Sequence, residues 1–117
     1  MTEVSSKYIC KLISVYESDN SIYIVMELLT RSLYSQLKIN GLPNLNSSKE
    51  IMIKLLLALG ELHKKNIMHR DLKLENIMIL QKDSVIEPIV IDLGLAEIST
   101  NPTFLYTKCG TPGYVAP

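Results

Sequence analysis

The 117-residue sequence lacks the features that mark secreted, membrane-spanning or nucleic-acid-binding proteins. Its two cysteines, Cys10 and Cys109, lie far apart and without metal-ligand spacing, which argues against a disulfide framework. Twelve basic and twelve acidic residues balance, so no positive excess favours nucleic acid. The most apolar run, 51–59, is interrupted by Lys54 and is shorter than the ~20 residues that cross a bilayer. Because residues 1–11 also lack a signal-peptide core, we expect one soluble unit in the cytoplasm, with the nucleus as the alternative.

Two pairs of β-rich runs predict two hairpins. The first pair covers residues 8–16 and 22–26, separated by a polar turn. The second covers residues 77–80 and 89–91, joined by a loop over 81–88. This second hairpin is expected to deliver Asp92 at its end, and residues 95–117 are predicted to form a loop without regular structure.

Two helices are predicted between the hairpins. A short one covers residues 32–38 and is broken by the Asn-Gly-Leu-Pro stretch at 40–43. A long one starts at a capping box made by Ser47 and Glu50 and runs to Lys65. Its polar residues form one narrow stripe, so we expect the helix to be buried on most sides.

Three sequence signatures stand in a fixed order in the second half of the chain. They are HRDLKLEN at 69–76, DLG at 92–94 and GTPGYVAP at 110–117. Together they resemble the catalytic loop, the metal-binding motif and the end of the activation segment of the eukaryotic protein kinases. The third most resembles serine/threonine kinases of the calcium/calmodulin-dependent group. The resemblance implies an α+β kinase-like fold, present in part: 1–26 a small-lobe remnant, 27–31 the hinge, and 32–117 the upper large lobe.

The resemblance implies roles for five polar residues in phosphoryl transfer. Asp71 would orient the substrate hydroxyl, while Lys73 contacts the γ-phosphate and Thr111 bridges the two. Asn76 and Asp92 would supply oxygen ligands to Mg²⁺. The alternatives are a surface aspartate at 71, a solvated loop cation at 73 and a turn residue at 111. Lys73 and Thr111 both favour serine or threonine over tyrosine as the acceptor.

Nucleotide binding is implied for residues at the hinge and on the strand after the catalytic loop. Met26 matches the gatekeeper position, and the backbone of Glu27 and Leu29 would hydrogen-bond the adenine of ATP. Met78 is expected to contact the nucleotide as well. Ordinary strand-end packing is the alternative for the apolar members of this set.

Regulation is implied by Arg70, which precedes the catalytic aspartate. A basic residue at this position favours a phosphate partner, and Thr107 lies where many related kinases carry an activating phosphate. We therefore hypothesise that an upstream kinase phosphorylates Thr107 and that the phosphate pairs with Arg70. Tyr106 and Thr103 are competing acceptors.

His69 has two interpretations. With His63 and Asp71 it could form a metal cluster, but a packed histidine that anchors the backbone is favoured. The resemblance further implies that Leu12 and Leu93 stack with it. Leu93 stands where the family motif has phenylalanine, so we expect altered inactive-state preferences with metal binding retained.

No glycine-rich phosphate loop and no lysine in a VAIK-type motif occur in the sequence. The expectation is an incomplete catalytic domain whose long helix and hairpins expose apolar surface. One hypothesis is a segment of a serine/threonine kinase that uses ATP and Mg²⁺ on protein substrates, with little activity of its own. The other is a pseudokinase-like module that binds a kinase's partners without transferring phosphate.

Overall fold

A computed structural model of the chain describes residues 6–82, 85–100 and 108–115, and confirms the predicted mixture of strands and helices. The regular elements follow one another in the order ββααββββ. Their bounds are β1 Leu12–Ser18, β2 Ser21–Met26, α1 Leu33–Asn40, α2 Leu45–Lys64, β3 Ile67–Met68, β4 Ile77–Lys82, β5 Val85–Val90 and β6 Glu97–Ile98.

The first hairpin forms, but its first strand starts later than predicted. β1 pairs antiparallel with β2, from Leu12 opposite Met26 to Ser18 opposite Ser21. Tyr8 and Ile9 lie outside the hairpin and are buried in the core, where Ile9 forms a parallel bridge with Val90 of β5. The prediction of a strand from residue 8 was wrong because these apolar side chains pack into the core.

α1 agrees with the prediction. The side chain of Ser32 accepts a hydrogen bond from the backbone N–H of Ser35 at 3.1 Å and caps the helix. Gly41 ends it with φ of 73°, the left-handed conformation that glycine adopts without a steric penalty. This N-cap and C-cap explain why the sequence located the helix well.

The predicted start of α2 was wrong by one turn. Asn44, not Ser47, is the N-cap: its side-chain oxygen accepts from the Ser47 N–H at 2.9 Å, and the helix begins at Leu45. Ser48 instead bonds the carbonyl of Asn44 at 3.0 Å. Asparagine caps as well as serine does, so the earlier of two competing caps is used here.

α2 is buried along one stripe only, which corrects the prediction of burial on most sides. Its buried positions follow helical spacing: Ile51, Leu55, Ala58 and Leu62. Its exposed apolar positions, each more than half exposed, are Met52, Ile53, Leu56 and Leu57. The expected exposed apolar surface is thus present on α2, and β1 and β2 are mostly exposed as well.

The second hairpin differs from the first because it belongs to the core. β4 pairs antiparallel with β5, with Ile77 opposite Val90 and Ile79 opposite Pro88. These four side chains are buried, so most of the apolar surface expected to be exposed on this hairpin is covered, while Val85 remains 47% exposed. Pro88, predicted to lie in a loop, is part of β5. The Lys54 ammonium ties α2 to this hairpin by donating to the Ile86 carbonyl at 3.0 Å.

A short strand pair was missed by the sequence prediction. β3, directly before the catalytic-loop signature, pairs antiparallel with β6, which follows Asp92, and places Met68 opposite Glu97. The backbone N–H of Ser99 extends the contact by donating to the Asn66 carbonyl at 2.7 Å. Part of the region predicted to be an irregular loop is therefore fixed against the catalytic loop.

Within the described residues, no helix has the length and apolarity to cross a membrane.

Candidate active site

The catalytic-loop segment is held in place by His69, which is buried with 4% of its surface exposed. Its Nε2 lies 3.0 Å from the Ile91 carbonyl oxygen, and its Nδ1 accepts from the Asp71 N–H at 3.3 Å. Both contacts fit a neutral ring protonated on Nε2. Through these two contacts His69 anchors the catalytic-loop segment to the backbone before Asp92. Among the described residues, no group of three or more potential metal-binding side chains is found.

Asp71 receives hydrogen bonds on both carboxylate oxygens. Oδ1 accepts from the Thr111 hydroxyl at 2.5 Å. Oδ2 lies 2.8 Å from the Lys73 ammonium and accepts from the Asn76 side-chain amide at 3.1 Å. Lys73 also donates to the Thr111 hydroxyl at 2.8 Å, which closes a triangle between the three side chains. The structure thus brings together the three residues predicted to be catalytic.

The charges of this cluster are stabilised by one another. The Lys73 ammonium, followed by the Thr111 hydroxyl, lowers the pKa of Asp71 below its ordinary value. In return, the hydrogen bond to Asp71 raises the pKa of Lys73. Both groups are therefore ionised at neutral pH, with the carboxylate ready to accept a hydrogen bond and the ammonium ready to meet an anion.

Asn76 is buried and oriented by its own hydrogen bonds. Its side-chain N–H₂ donates to the backbone carbonyl of Asp71 at 2.9 Å as well as to the carboxylate. Both N–H groups are thus used within the loop, which leaves the amide oxygen as the atom able to bind a cation. The backbone carbonyl of Asn76 accepts from the Ile91 N–H at 2.9 Å. This contact brings the loop to the residue that precedes Asp92.

Asp92 lies at the end of β5 with φ of 61°, a left-handed conformation that is uncommon for a residue with a side chain. Its Oδ1 accepts from the Gly94 N–H at 3.1 Å. An added Cβ on Gly94 would lie 2.9 Å from that oxygen, so a larger residue there would require the Asp92 carboxylate to move. Carboxylate and amide oxygens suit Mg²⁺, which takes its remaining ligands from phosphates and water. Asp92 and Asn76 therefore fit the metal-binding role implied by the sequence.

The residues predicted to form the hinge, 27–31, contact the second hairpin, where the Ile79 N–H donates to the Arg31 carbonyl at 2.7 Å. The Glu27 N–H donates to the Lys11 carbonyl at 3.0 Å, and its carboxylate accepts from the Lys11 N–H at 2.7 Å. A bridge between Ser32 and Met78 brings β4 against the segment that follows Leu29. Met26 is half exposed at the end of β2. The structure thus brings Met78 to the segment that directly follows the predicted hinge. Met26 directly precedes the predicted hinge in the sequence.

Arg70 has partners that the sequence did not reveal. Its Nε donates to the Leu95 carbonyl at 2.7 Å, and its Nη2 lies 3.8 Å from a carboxylate oxygen of Glu97. No sequence signal pointed to Glu97, because it reaches Arg70 only through the pairing of β3 with β6. Thr107, together with its competitors Tyr106 and Thr103, lies outside the described residues.

The stacking of Leu12 and Leu93 with His69 stays a prediction, and neither leucine is as deeply buried as the histidine. Leu12 is 41% exposed and Leu93 is 40% exposed, whereas the histidine is buried. Neither leucine belongs to the buried core cluster. The histidine is held by its two backbone contacts.

A cavity of about 340 Å³ opens beside the Asp71 carboxylate. Its lining combines charged and polar side chains with apolar ones. The residues that line it are Arg70, Asp71, Leu72, Cys109, Thr111, Tyr114 and Val115. Gly110 has no room for a side chain, because an added Cβ would lie 3.0 Å from the Arg70 carbonyl oxygen and 2.9 Å from the Val115 side chain. The Asp71 carboxylate thus borders an open cavity.

Comparisons with known proteins agree with this geometry. The family model for the protein kinase domain matches residues 1–117 of the sequence. The chain is 40% identical over its whole length to a probable serine/threonine-protein kinase 2 of Plasmodium falciparum, and 34% identical to myosin light chain kinase A of Dictyostelium discoideum. It spans 23% and 40% of those two relatives.

A solved structure shows the same fold. The chain resembles the crystal structure of the Rad53 kinase domain and SCD2 with a TM-score of 0.74 and 31% identity, over 84% of this chain and 37% of that one. Rad53 of Saccharomyces cerevisiae is itself a serine/threonine-protein kinase. The match over all 117 residues and the assembled Asp71, Lys73 and Thr111 cluster lead to one conclusion: the chain belongs to the protein kinase domain family, and its relatives are serine/threonine kinases.

Proposed function

We propose that this chain carries the hydroxyl-orienting and metal-binding part of an ATP-dependent protein serine/threonine kinase. The observation that supports this most directly is the Thr111 hydroxyl, which donates to Asp71 while accepting from Lys73. A carboxylate that already binds one hydroxyl beside a protonated amine can bind a second hydroxyl in the same way. That is what a serine or threonine acceptor requires.

The Asp71 carboxylate retains capacity for a substrate. Two oxygens offer about four lone-pair positions, and Thr111, Lys73 and Asn76 occupy three of them. The remaining position would accept the hydrogen bond of the incoming hydroxyl, orient its oxygen toward the γ-phosphorus and take its proton late in the transfer. Lys73 would contact the transferred phosphate, where its positive charge offsets the charge that develops.

Asn76 and Asp92 would hold Mg²⁺ together with the nucleotide phosphates. The bound metal would neutralise phosphate charge that otherwise repels the nucleophile. The role of these side chains is to present oxygens in a fixed orientation, through the two Asn76 donor bonds and the Asp92 turn. Supporting contacts of this kind set the geometry of metal ligands in general.

Met26, Glu27, Leu29 and Met78 are proposed to contact ATP. The Glu27 N–H is used by Lys11, so the Glu27 carbonyl and the Leu29 N–H are the hinge groups assigned to the adenine edge. Met78 would pack against the ring, since the Ser32 bridge holds β4 beside the hinge. The adenine would then lie between apolar side chains with its polar edge on backbone groups.

The 117 residues alone are proposed to transfer little phosphate. Phosphoryl transfer by this family depends on a glycine-rich loop and a lysine that clamp the nucleotide phosphates, and the sequence has neither. We therefore expect purified chain 1–117 with Mg·ATP to leave a basic serine peptide unmodified. Transfer by that chain, lost on Asp92→Ala, would contradict this part of the proposal.

A chimera tests the site with the nucleotide clamp supplied. Residues 6–115 would replace the matching segment of the Rad53 kinase domain, and transfer to matched peptides with a single serine, threonine or tyrosine would be measured. We expect Mg²⁺-dependent transfer to serine and threonine, reduced by roughly 10³-fold by Asp71→Asn. Glu50→Gln, a neutral substitution on the exposed side of α2, is the control and should change nothing. Nucleotide binding without transfer would favour the pseudokinase-like binding module instead.

An upstream kinase is proposed to control the chain through Thr107. A phosphate there would add negative charge near Arg70 and order the segment between the two. The test is Thr107→Ala in the chimera, treated beforehand with an activating kinase. Activity equal to that of the unsubstituted chimera would remove this regulatory proposal and leave the proposed chemistry unaffected.

A further inference from the structure

The guanidinium of Arg70 is already bound to the segment that follows Asp92. Arg70 has φ of 64°, a conformation that persists in a side-chain-bearing residue only where its surroundings hold it. The hydrogen bond from Nε to the Leu95 carbonyl and the ion pair with Glu97 supply that support. The Arg70 and Glu97 side chains are 18% and 20% exposed, so their charges are screened less than those of a surface pair.

The position of Glu97 is fixed by backbone pairing. Glu97 lies opposite Met68, two residues before Arg70, and the Ser99 N–H bond to Asn66 holds the far end of the pair. One carboxylate oxygen of Glu97 accepts from the Ile98 N–H at 3.1 Å, while the other is the one nearest Arg70. Glu97 is thus oriented toward the guanidinium by its own strand and by the pairing of that strand with β3.

A second anion at this arginine would meet the Glu97 charge. A phosphate on a side chain carries about −1.5 to −2 charges at neutral pH, and a carboxylate within a few ångströms repels it. We propose that Glu97 is the resident anionic partner of Arg70, and that a phosphoryl group reaching Arg70 must displace the Glu97 carboxylate. The inference rests on the proposed function only for the source of that phosphoryl group.

Titration of the full chain with inorganic phosphate tests the inference without any phosphoryl transfer. The Arg70 Nε–H signal in ¹⁵N NMR spectra reports the binding of phosphate to the guanidinium. The variants are Glu97→Gln, which removes the charge at constant size, and Glu97→Asp, which keeps it. Glu61→Gln is the control, because Glu61 also forms an acid–base pair, with Lys64 on α2, but at a more exposed site.

We expect Glu97→Gln to bind phosphate about tenfold more tightly than the unsubstituted chain, since one like charge is removed beside the anion. Glu97→Asp and Glu61→Gln should bind phosphate as the unsubstituted chain does. Equal affinity of Glu97→Gln and Glu61→Gln would overturn the inference. Loss of structure alone would not tighten binding of an anion, so the predicted gain separates the charge effect from a structural one.

The unsubstituted chain supplies a second measurement that needs no variant. If phosphate displaces the carboxylate, the side-chain ¹³C signal of Glu97 shifts with the same midpoint as the Arg70 Nε–H signal. A shift at Arg70 with Glu97 unchanged would mean that phosphate binds beside the carboxylate. That outcome contradicts displacement.

Discussion

Thr111 connects the activation segment to the catalytic loop through a single hydroxyl, so its replacement by valine is an informative perturbation. Valine has the same shape but neither donates to Asp71 nor accepts from Lys73. The direct 2.8 Å contact between Lys73 and Asp71 is independent of the hydroxyl and should remain. Thr111→Val therefore removes the link to the segment while leaving the ion pair in place.

The magnitude follows from the bonds that are lost. A hydrogen bond to a charged partner contributes about 1.5–3 kcal/mol, and Thr111 makes one to each of two charged groups. Because the ion pair between Lys73 and Asp71 persists in the variant, we expect a net loss equal to about one such hydrogen bond. This corresponds to a fall of roughly 10- to 100-fold in kcat/KM.

The assay is serine-peptide phosphorylation by the chimera, with Thr111→Ser as the matched control. Serine retains the hydroxyl and should keep most of the activity. The Asp71 amide should keep its hydrogen-exchange protection in both variants, because it bonds the His69 ring and not Thr111. Equal kcat/KM for the valine and serine variants would refute the claim that this hydroxyl organises the site.

Further predictions concern the proposed metal ligand Asn76, the tight packing at Gly110 and the ion pair between Asp71 and Lys73. Asn76→Ala removes an oxygen ligand and both donors to Asp71, so the chimera should need a several-fold higher Mg²⁺ concentration for half-maximal rate, whereas an unchanged requirement would exclude Asn76 as a ligand. Gly110→Ala places a Cβ 3.0 Å from the Arg70 carbonyl at φ of 108°, and should destabilise the chain by about 1–3 kcal/mol in urea unfolding; wild-type stability would contradict this. Because the pKa of Asp71 is lowered and that of Lys73 raised, their stabilisation is present above about pH 4 and below about pH 10. This stabilisation falls as pH drops through the Asp71 pKa or rises through the Lys73 pKa. The measurement is the free energy of unfolding as a function of pH, for the unsubstituted chain and for Lys73→Met. A transition near pH 7 that disappears in Lys73→Met would contradict the assignment.

The candidate catalytic residues could be picked out from the sequence because each belongs to a contiguous signature. His69 to Asn76 form one loop, and the local hydrogen bonds of that loop need no distant partner to be recognised. α1 was located for the same reason, since its N-cap and C-cap lie in the sequence itself. The start of α2 was missed because two equivalent caps, Asn44 and Ser47, compete within one turn.

Glu97 shows what a single sequence could not reveal. Its strand is two residues long, too short to give a periodic pattern, and exists only because β3 lies opposite it. The burial of Pro88 within β5 was missed for a related reason, because proline usually marks a loop and here the core around Val90 overrides that preference. Both errors arise from tertiary contacts that no local signal reports.

Phosphate transfer by the chimera, compared with its Asp71→Asn variant, tests the central claim most directly. Asparagine keeps the shape of the side chain and removes the negative charge that the Lys73 and Thr111 contacts support. We expect transfer to serine and threonine peptides by the unsubstituted chimera and a loss of roughly 10³-fold in the variant, with nucleotide affinity unchanged. Equal transfer rates for the two proteins would contradict the assignment of Asp71 as the residue that orients the acceptor hydroxyl.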